Sequence, residues 1–185
     1  MQSVELVLDP VTEAQLVREW RALADAGLPS QSRHTGASNR PHVTLAVSSA
    51  LAAEAEERIA AAVTGLPLPI VVGGLSVFGS SPYILVRSVT ANAALLELQA
   101  RVHAAVEPTA GVFRNLQPGR WNPHITLGRR MSAPDIAAAL VALDGLEPLD
   151  AVAVGARRWD SDQRRTWDVR PTNLVEVDDD HRLPG

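Results

Sequence analysis

One phrase occurs twice in this chain. Arg40-Pro41-His42-Val43-Thr44-Leu45-Ala46 and Trp121-Asn122-Pro123-His124-Ile125-Thr126-Leu127-Gly128 share the pattern Pro-His-aliphatic-Thr-Leu-small. On a β-strand, side chains two apart share a face. His42 and Thr44 then point one way, with Val43, Leu45 and Val47 pointing the other. His124 and Thr126 do the same against Ile125 and Leu127. Each strand must bury one face and present an imidazole and a hydroxyl on its back.

The elements around the copies repeat as well. Val4, Leu6 and Leu8 alternate, so 3–8 reads as a strand. Asp9-Pro10 starts a helix, with Leu16, Val17, Trp20, Leu23 and Ala24 at helical spacing, and Gly27 and Pro29 end it. A polar loop, 28–39, leads to the first His strand, 41–48. A helix is expected over 50–64, then a strand over 67–78 bent at Gly73-Gly74. After a turn, 83–88 reads as a strand. A helix over 91–107 follows, capped by Thr90, then a loop over 108–121 and the second His strand, 122–129. Ser132 to Asp135 fits a capping box for a helix to about 143. A hairpin, 151–159 with 165–169, and a short strand at 173–177 precede a charged tail, 178–185.

Val4 precedes His42 by 38 residues, and Ile84 precedes His124 by 40. That repetition predicts an internal duplication. The expected fold is α+β: one domain over 1–177, with pseudo-symmetric lobes at 1–78 and 83–169 and strand exchange allowed between them. Two antiparallel sheets would line a central cleft, with helices packed outside.

Absences narrow the chemistry. The chain has no cysteine, which excludes thiolate nucleophiles, disulfides and Cys-based metal sites. All 17 basic residues are arginine, so Schiff bases, lysine adenylation and the P-loop lysine are excluded. The net charge of −4 does not suit a grip on long nucleic acid and favours a small or terminal nucleotide. No apolar run approaches membrane-span length, and Met1-Gln2-Ser3-Val4-Glu5 does not resemble a signal peptide. A cytoplasmic monomer is expected.

Two imidazoles facing one pocket form a general acid–base pair, because histidine titrates near neutral pH. The threonine hydroxyl beside each can donate to a non-bridging oxygen. One donor from each side suits a tetrahedral phosphate diester better than a planar carbonyl.

These two motifs, His42-Val43-Thr44 and His124-Ile125-Thr126, resemble those of the 2H phosphoesterase superfamily, which includes 2′-5′ RNA ligase-like proteins and cyclic nucleotide phosphodiesterases. The resemblance spans roughly 1–170, since element order and spacing match too. It implies a bilobal α+β fold and hydrolysis or transesterification of 2′,3′-cyclic phosphates or 2′-5′ linkages. It makes His42 and His124 the catalytic pair and Thr44 and Thr126 the phosphate donors. Arg129 matches the basic residue that often follows the second motif. In one assignment His124 activates water and His42 protonates the leaving 3′ oxygen; the reverse fits the same residues. "Ligase" does not here mean ATP-dependent joining, since there is no lysine to adenylate. No cofactor is expected, and the partner is a nucleotide or RNA terminus.

Other readings stay open around the motifs. Arg40 can hold phosphate in fork geometry or be a solvated surface residue. Tyr83 and Trp121, like Phe78, are candidates for base stacking or for the core. Arg157, Arg158, Arg164 and Arg165 either rim an RNA end or pair with Asp160 and Asp162. Two rival functions remain. One is a non-catalytic nucleotide or RNA-end binder. The other is a metal hydrolase with both histidines as ligands, for which no third ligand stands at recognisable spacing.

Overall fold

The computed structural model describes residues 1–34, 36, 38–107 and 113–170. In chain order these form β1 (Gln2–Leu8), α1 (Pro10–Asp25), β2 (His42–Ser48), α2 (Glu54–Ala62), β3 (Leu68–Phe78), β4 (Tyr83–Val89), α3 (Ala93–Val106), β5 (His124–Met131), α4 (Ala133–Ala142), β6 (Leu149–Asp160) and β7 (Arg165–Val169). The expected strand at 173–177 and the tail at 178–185 lie outside the described residues.

Local chemistry sets the helix ends. The Asp9 carboxylate accepts from the Val11 and Thr12 amides, and Pro10 opens α1 without spending a needed donor. Ser132 and Asp135 form the expected reciprocal capping box on α4. Two helix expectations need correction. Asn92, not Thr90, caps α3: its Oδ1 accepts from Leu95 N at 2.8 Å. The Thr90 amide is already given to Val71 O, so the chain there still belongs to the sheet edge. Helix α2 starts at Glu54 rather than 50, and no side-chain cap holds its start.

The α+β class and antiparallel pairing are as expected, but the two separate sheets are not. All seven strands join in one hydrogen-bonded sheet, in the order β2-β1-β6-β3-β4-β5, with β7 on β6. The long strand β6 causes this. Its first residues pair with β3 (Ala153 with Leu68 through Leu149 with Val72), and its remainder pairs with β1 (Ala153 with Leu8 through Asp160 with Gln2). Strand β3 of the first half thus pairs with β4 of the second, and β6 of the second half pairs with β1 of the first. The bend foreseen in β3 is present: register shifts between Val72 and Leu75. A Cβ on Gly73 would lie 2.7 Å from Ser88 Oγ, so a larger residue there would make the serine hydroxyl turn aside.

The sheet curls until its two end strands, β2 and β5, meet. Val43, Leu45, Ile125 and Leu127 are fully buried beneath it. Each contributes about 1.5–3 kcal/mol by leaving water. Above them, His42, Thr44, His124 and Thr126 remain half-exposed, as the alternation requires. Val47 departs from its expected side. A bulge skips Leu45 in the pairing of Val4 with Ala46 and Glu5 with Thr44, which buries Ala46 and turns Val47 outward.

Helices from one half pack on motif strands of the other. Helix α1 lies against β5, and α3 lies against β2. Trp20 Nε1 donates to Thr126 O, and Trp121 Nε1 donates to Thr44 O, both at 3.0 Å. The meeting strands share no ladder, so these two indoles satisfy carbonyls that water would otherwise have to reach.

Candidate active site

A groove of about 360 Å³ runs along the junction of β2 and β5. Its walls include His42, Thr44, Thr126 and Arg129, together with Glu5, Trp20, Asn39 and Trp159. The loop before β2 is held by the Asn39 side chain, which donates to Gln31 O and His34 O at 2.9 and 2.8 Å. Asn39 is thereby fixed at the rim.

The two histidines are tethered identically. His42 Nδ1 lies 2.8 Å from Arg40 O, and His124 Nδ1 lies 2.7 Å from Asn122 O. A carbonyl only accepts, so each Nδ1 carries a proton, and in its neutral form each ring has its lone pair on Nε2. The tether comes from the residue two before the histidine, across Pro41 or Pro123. Proline fixes φ there, which is the physical use of the Pro-His pair.

The fields around the rings differ. Glu5 Oε1 stands 3.7 Å from His42 Nε2. Glu5 is itself fixed, since Ser3 Oγ donates to Oε1 at 2.7 Å and Arg157 Nε donates to Oε2 at 2.9 Å. In the register, Glu5 lies opposite Thr44; the residue opposite Thr126 is Val86. Among the described residues, no carboxylate is paired with His124. Its pKa is held below the usual histidine value, first by burial and then by the positive charges of Arg129 and His42, while its bond to Asn122 O works the other way. The Phe78 ring meets His124 edge-on, with centroids 4.7 Å apart.

Not every sequence candidate reaches the groove. Arg40 turns its guanidinium to Glu13, donating from Nε at 3.1 and 3.2 Å, and lines a different cavity; what it gives the site is its carbonyl. Trp121 is 8% exposed and committed to Thr44 O, so it is a pillar between strands and not a stacking surface. Tyr83 sits far along β4, opposite Met131, and is absent from the groove's lining. Arg157 and Arg158 pair with Glu5 and Glu56, not with Asp160 or Asp162. Glu5 and Trp159 were missed. Both sit on the polar side of an alternating strand, and the period-two reading applied to β1 and β6 would have found them.

Among the described residues, no group of three or more His, Asp or Glu side chains is placed to hold a metal ion. Nor is any described helix long and apolar enough to cross a membrane.

His42, Thr44, Thr126 and Arg129 line one groove, and His124, on the same face of β5 as Thr126, is not among its lining residues. The chain belongs to the 2′-5′ RNA ligase superfamily, whose model matches residues 8–165. Among solved structures, the fold is similar to E. coli LigT complexed with 3′-AMP (TM-score 0.51, 18% identity, 90% of this chain and 91% of that one). It is similar also to E. coli LigT complexed with NADP+ (TM-score 0.52, 18% identity, 91% and 96%). No curated protein matches the chain in sequence.

The tryptophan pillars carry a prediction. Trp20→Phe and Trp121→Phe each remove one indole N–H donor and keep most of the ring. Each is expected to cost about 1 kcal/mol of stability. Each should also lower kcat roughly tenfold with little change in KM, because the rings on β2 and β5 lose their fixed separation. Denaturant melts and steady-state kinetics on the two variants check this; unchanged kcat in both would remove the positioning role.

Proposed function

We propose that the chain is a metal-independent phosphodiesterase that opens a nucleotide 2′,3′-cyclic phosphate to the 2′-phosphate. The observation that carries this is the identical Nδ1 tether on the two histidines, which leaves one Nε2 on each ring for the substrate. Thr44, Thr126 and Arg129 hold the non-bridging oxygens and offset the charge that builds there. His124, kept neutral by its surroundings, takes a proton from water through Nε2 as the water oxygen bonds to phosphorus. The bond from phosphorus to the 3′ oxygen breaks, and His42, as imidazolium, gives that oxygen its Nε2 proton. Arg129 repels a cation at His124, whereas a carboxylate oxygen, Glu5 Oε1, stands 3.7 Å from His42 Nε2. That contrast supports His124 as base and His42 as acid. The E. coli LigT complexes contain nucleotides, which supports a nucleotide in the groove of this chain. A 2′-5′ phosphodiester, as in an RNA end, is the second linkage that the same groups can cleave.

The test is to incubate the purified protein with nucleoside 2′,3′-cyclic monophosphates in EDTA. Turnover to the 2′-phosphate is expected, with the chelator making no difference. Tight nucleotide binding without turnover would favour a binding protein instead, and activity lost to EDTA and restored by a metal would refute the metal-independent scheme.

A further inference from the structure

We infer that an adjoining basic compartment, lined by His42 but not by Thr126 or Arg129, holds a second phosphate of the substrate. This rests on the phosphodiesterase reading above. The compartment is a cavity of about 390 Å³. It shares Glu5, Asn39, His42 and Trp159 with the catalytic groove, but adds His34, Arg157 and Arg164 and lacks both threonines and Arg129.

Arg157 is its fixed donor. It is 5% exposed and pinned at two corners, with Nε on Glu5 Oε2 and Nη1 on Ser38 O, both at 2.9 Å. Its Nη2 has no hydrogen-bond partner among the described residues. A guanidinium held this way is preorganised for one more acceptor, and phosphate oxygens suit it. Arg164 supplies a second charge from the tip of the β6–β7 hairpin. It is exposed, has no ion pair among the described residues, and is held at φ 51, an uncommon conformation for a residue with a side chain. Asp160 Oδ1 maintains that turn by accepting from the Asp162 and Gln163 amides at 2.8 and 3.1 Å. The sole acidic wall is Glu5, which Arg157 already neutralises. A surplus of positive charge remains.

Trp159 joins the two spaces. It stands two residues from Arg157 on β6, opposite Ser3, so the two side chains share a face of the sheet. No hydrogen bond holds its indole among the described residues. With the reacting phosphate at His42, the attached base can stack on Trp159, and the next phosphate then falls to Arg157 and Arg164. The ligand class is a nucleotide with a phosphate beyond the reacting one: a 5′-phosphate, or the next link of an RNA chain.

The experiment measures kcat/KM for three substrates: a nucleoside 2′,3′-cyclic phosphate, the same compound with a 5′-phosphate, and a dinucleotide ending in the cyclic phosphate. The native chain is expected to favour at least one two-phosphate substrate by tenfold or more, and the favoured one identifies the source. Arg164→Gln is expected to cut that preference at least fivefold. Equal kcat/KM on all three, or an undiminished preference in Arg164→Gln, would overturn the compartment. Calorimetry separates this from failure of the catalytic reading. A nucleoside 3′,5′-bisphosphate should bind at least tenfold tighter than the 3′-monophosphate, and Arg164→Gln should lose that margin whether or not any substrate turns over. Equal affinities would overturn the inference directly.

Discussion

His42→Ala and His124→Ala are each expected to lower kcat on a 2′,3′-cyclic nucleotide by about 10²–10⁴-fold, the range for removing a general acid or base. KM should change little, since Thr44, Thr126 and Arg129 still hold the phosphate. The two losses should not add. Removing the base leaves water unactivated, and restoring a good acid cannot repair that, so the double variant should be little worse than the poorer single one. Neither ring is buried in the core, so the variants should fold; their melting temperatures check that the loss is chemical. Turnover within tenfold of the native chain in either variant would remove that histidine from the mechanism.

Arg87→Ala is expected to cost about 3–5 kcal/mol of stability, the largest single loss outside the site. Arg87 is fully buried on β4. Its Nη1 donates to Glu19 Oε1 at 3.2 Å, and its Nη2 donates to Glu147 O at 2.7 Å. The pair ties α1 of the first half to β4 of the second. In the register, Arg87 lies opposite Ile125 as Leu6 lies opposite Val43, so an arginine fills the place of a core leucine. Removing it strands the Glu19 carboxylate, whose pKa burial already pushes up against the opposing pull of Arg87. The melting temperature should fall on the order of 10 °C. Glu19→Gln in the same chain should recover part of the loss, because the stranded charge is gone. A loss under about 1 kcal/mol for Arg87→Ala would mean that the pair is no stronger than a surface bridge.

Much of this was legible in the sequence because it depends on short periods. The alternation in His-x-Thr, the Asp9-Pro10 start and the Ser132 capping box are local, and the structure carries all three. Strand partnership is not local. Nothing in Leu68–Phe78 or Leu149–Asp160 says that each leaves its own half, so one continuous sheet was read as two. Sequence neighbourhood misled in the same way at Trp121. It stands three residues before His124, yet its ring crosses to Thr44. Trp159, 35 residues beyond His124, lines the groove with Thr126. Arg87 and Glu19 did leave a signal: Glu19 sits in the apolar stripe of α1 between Leu16 and Leu23, and Arg87 interrupts an apolar strand. A charge on a buried face demands an opposite partner, but only the tertiary fold says which one.

The pH dependence of kcat/KM on a 2′,3′-cyclic nucleotide bears most directly on two imidazoles serving one phosphate. Activity requires His124 without its proton, so the rate should climb with pH through the pKa of that ring. Burial and the nearby cations lower that pKa, which moves the acid limb below the ordinary histidine value of about 6.5. The alkaline limb reports the acid giving up its proton. A bell with this low acid limb, and disappearance of the limb from the residual rate of His124→Ala, is the expected result. A limb that survives in His124→Ala, or that lies above the ordinary histidine value in the native chain, would contradict it.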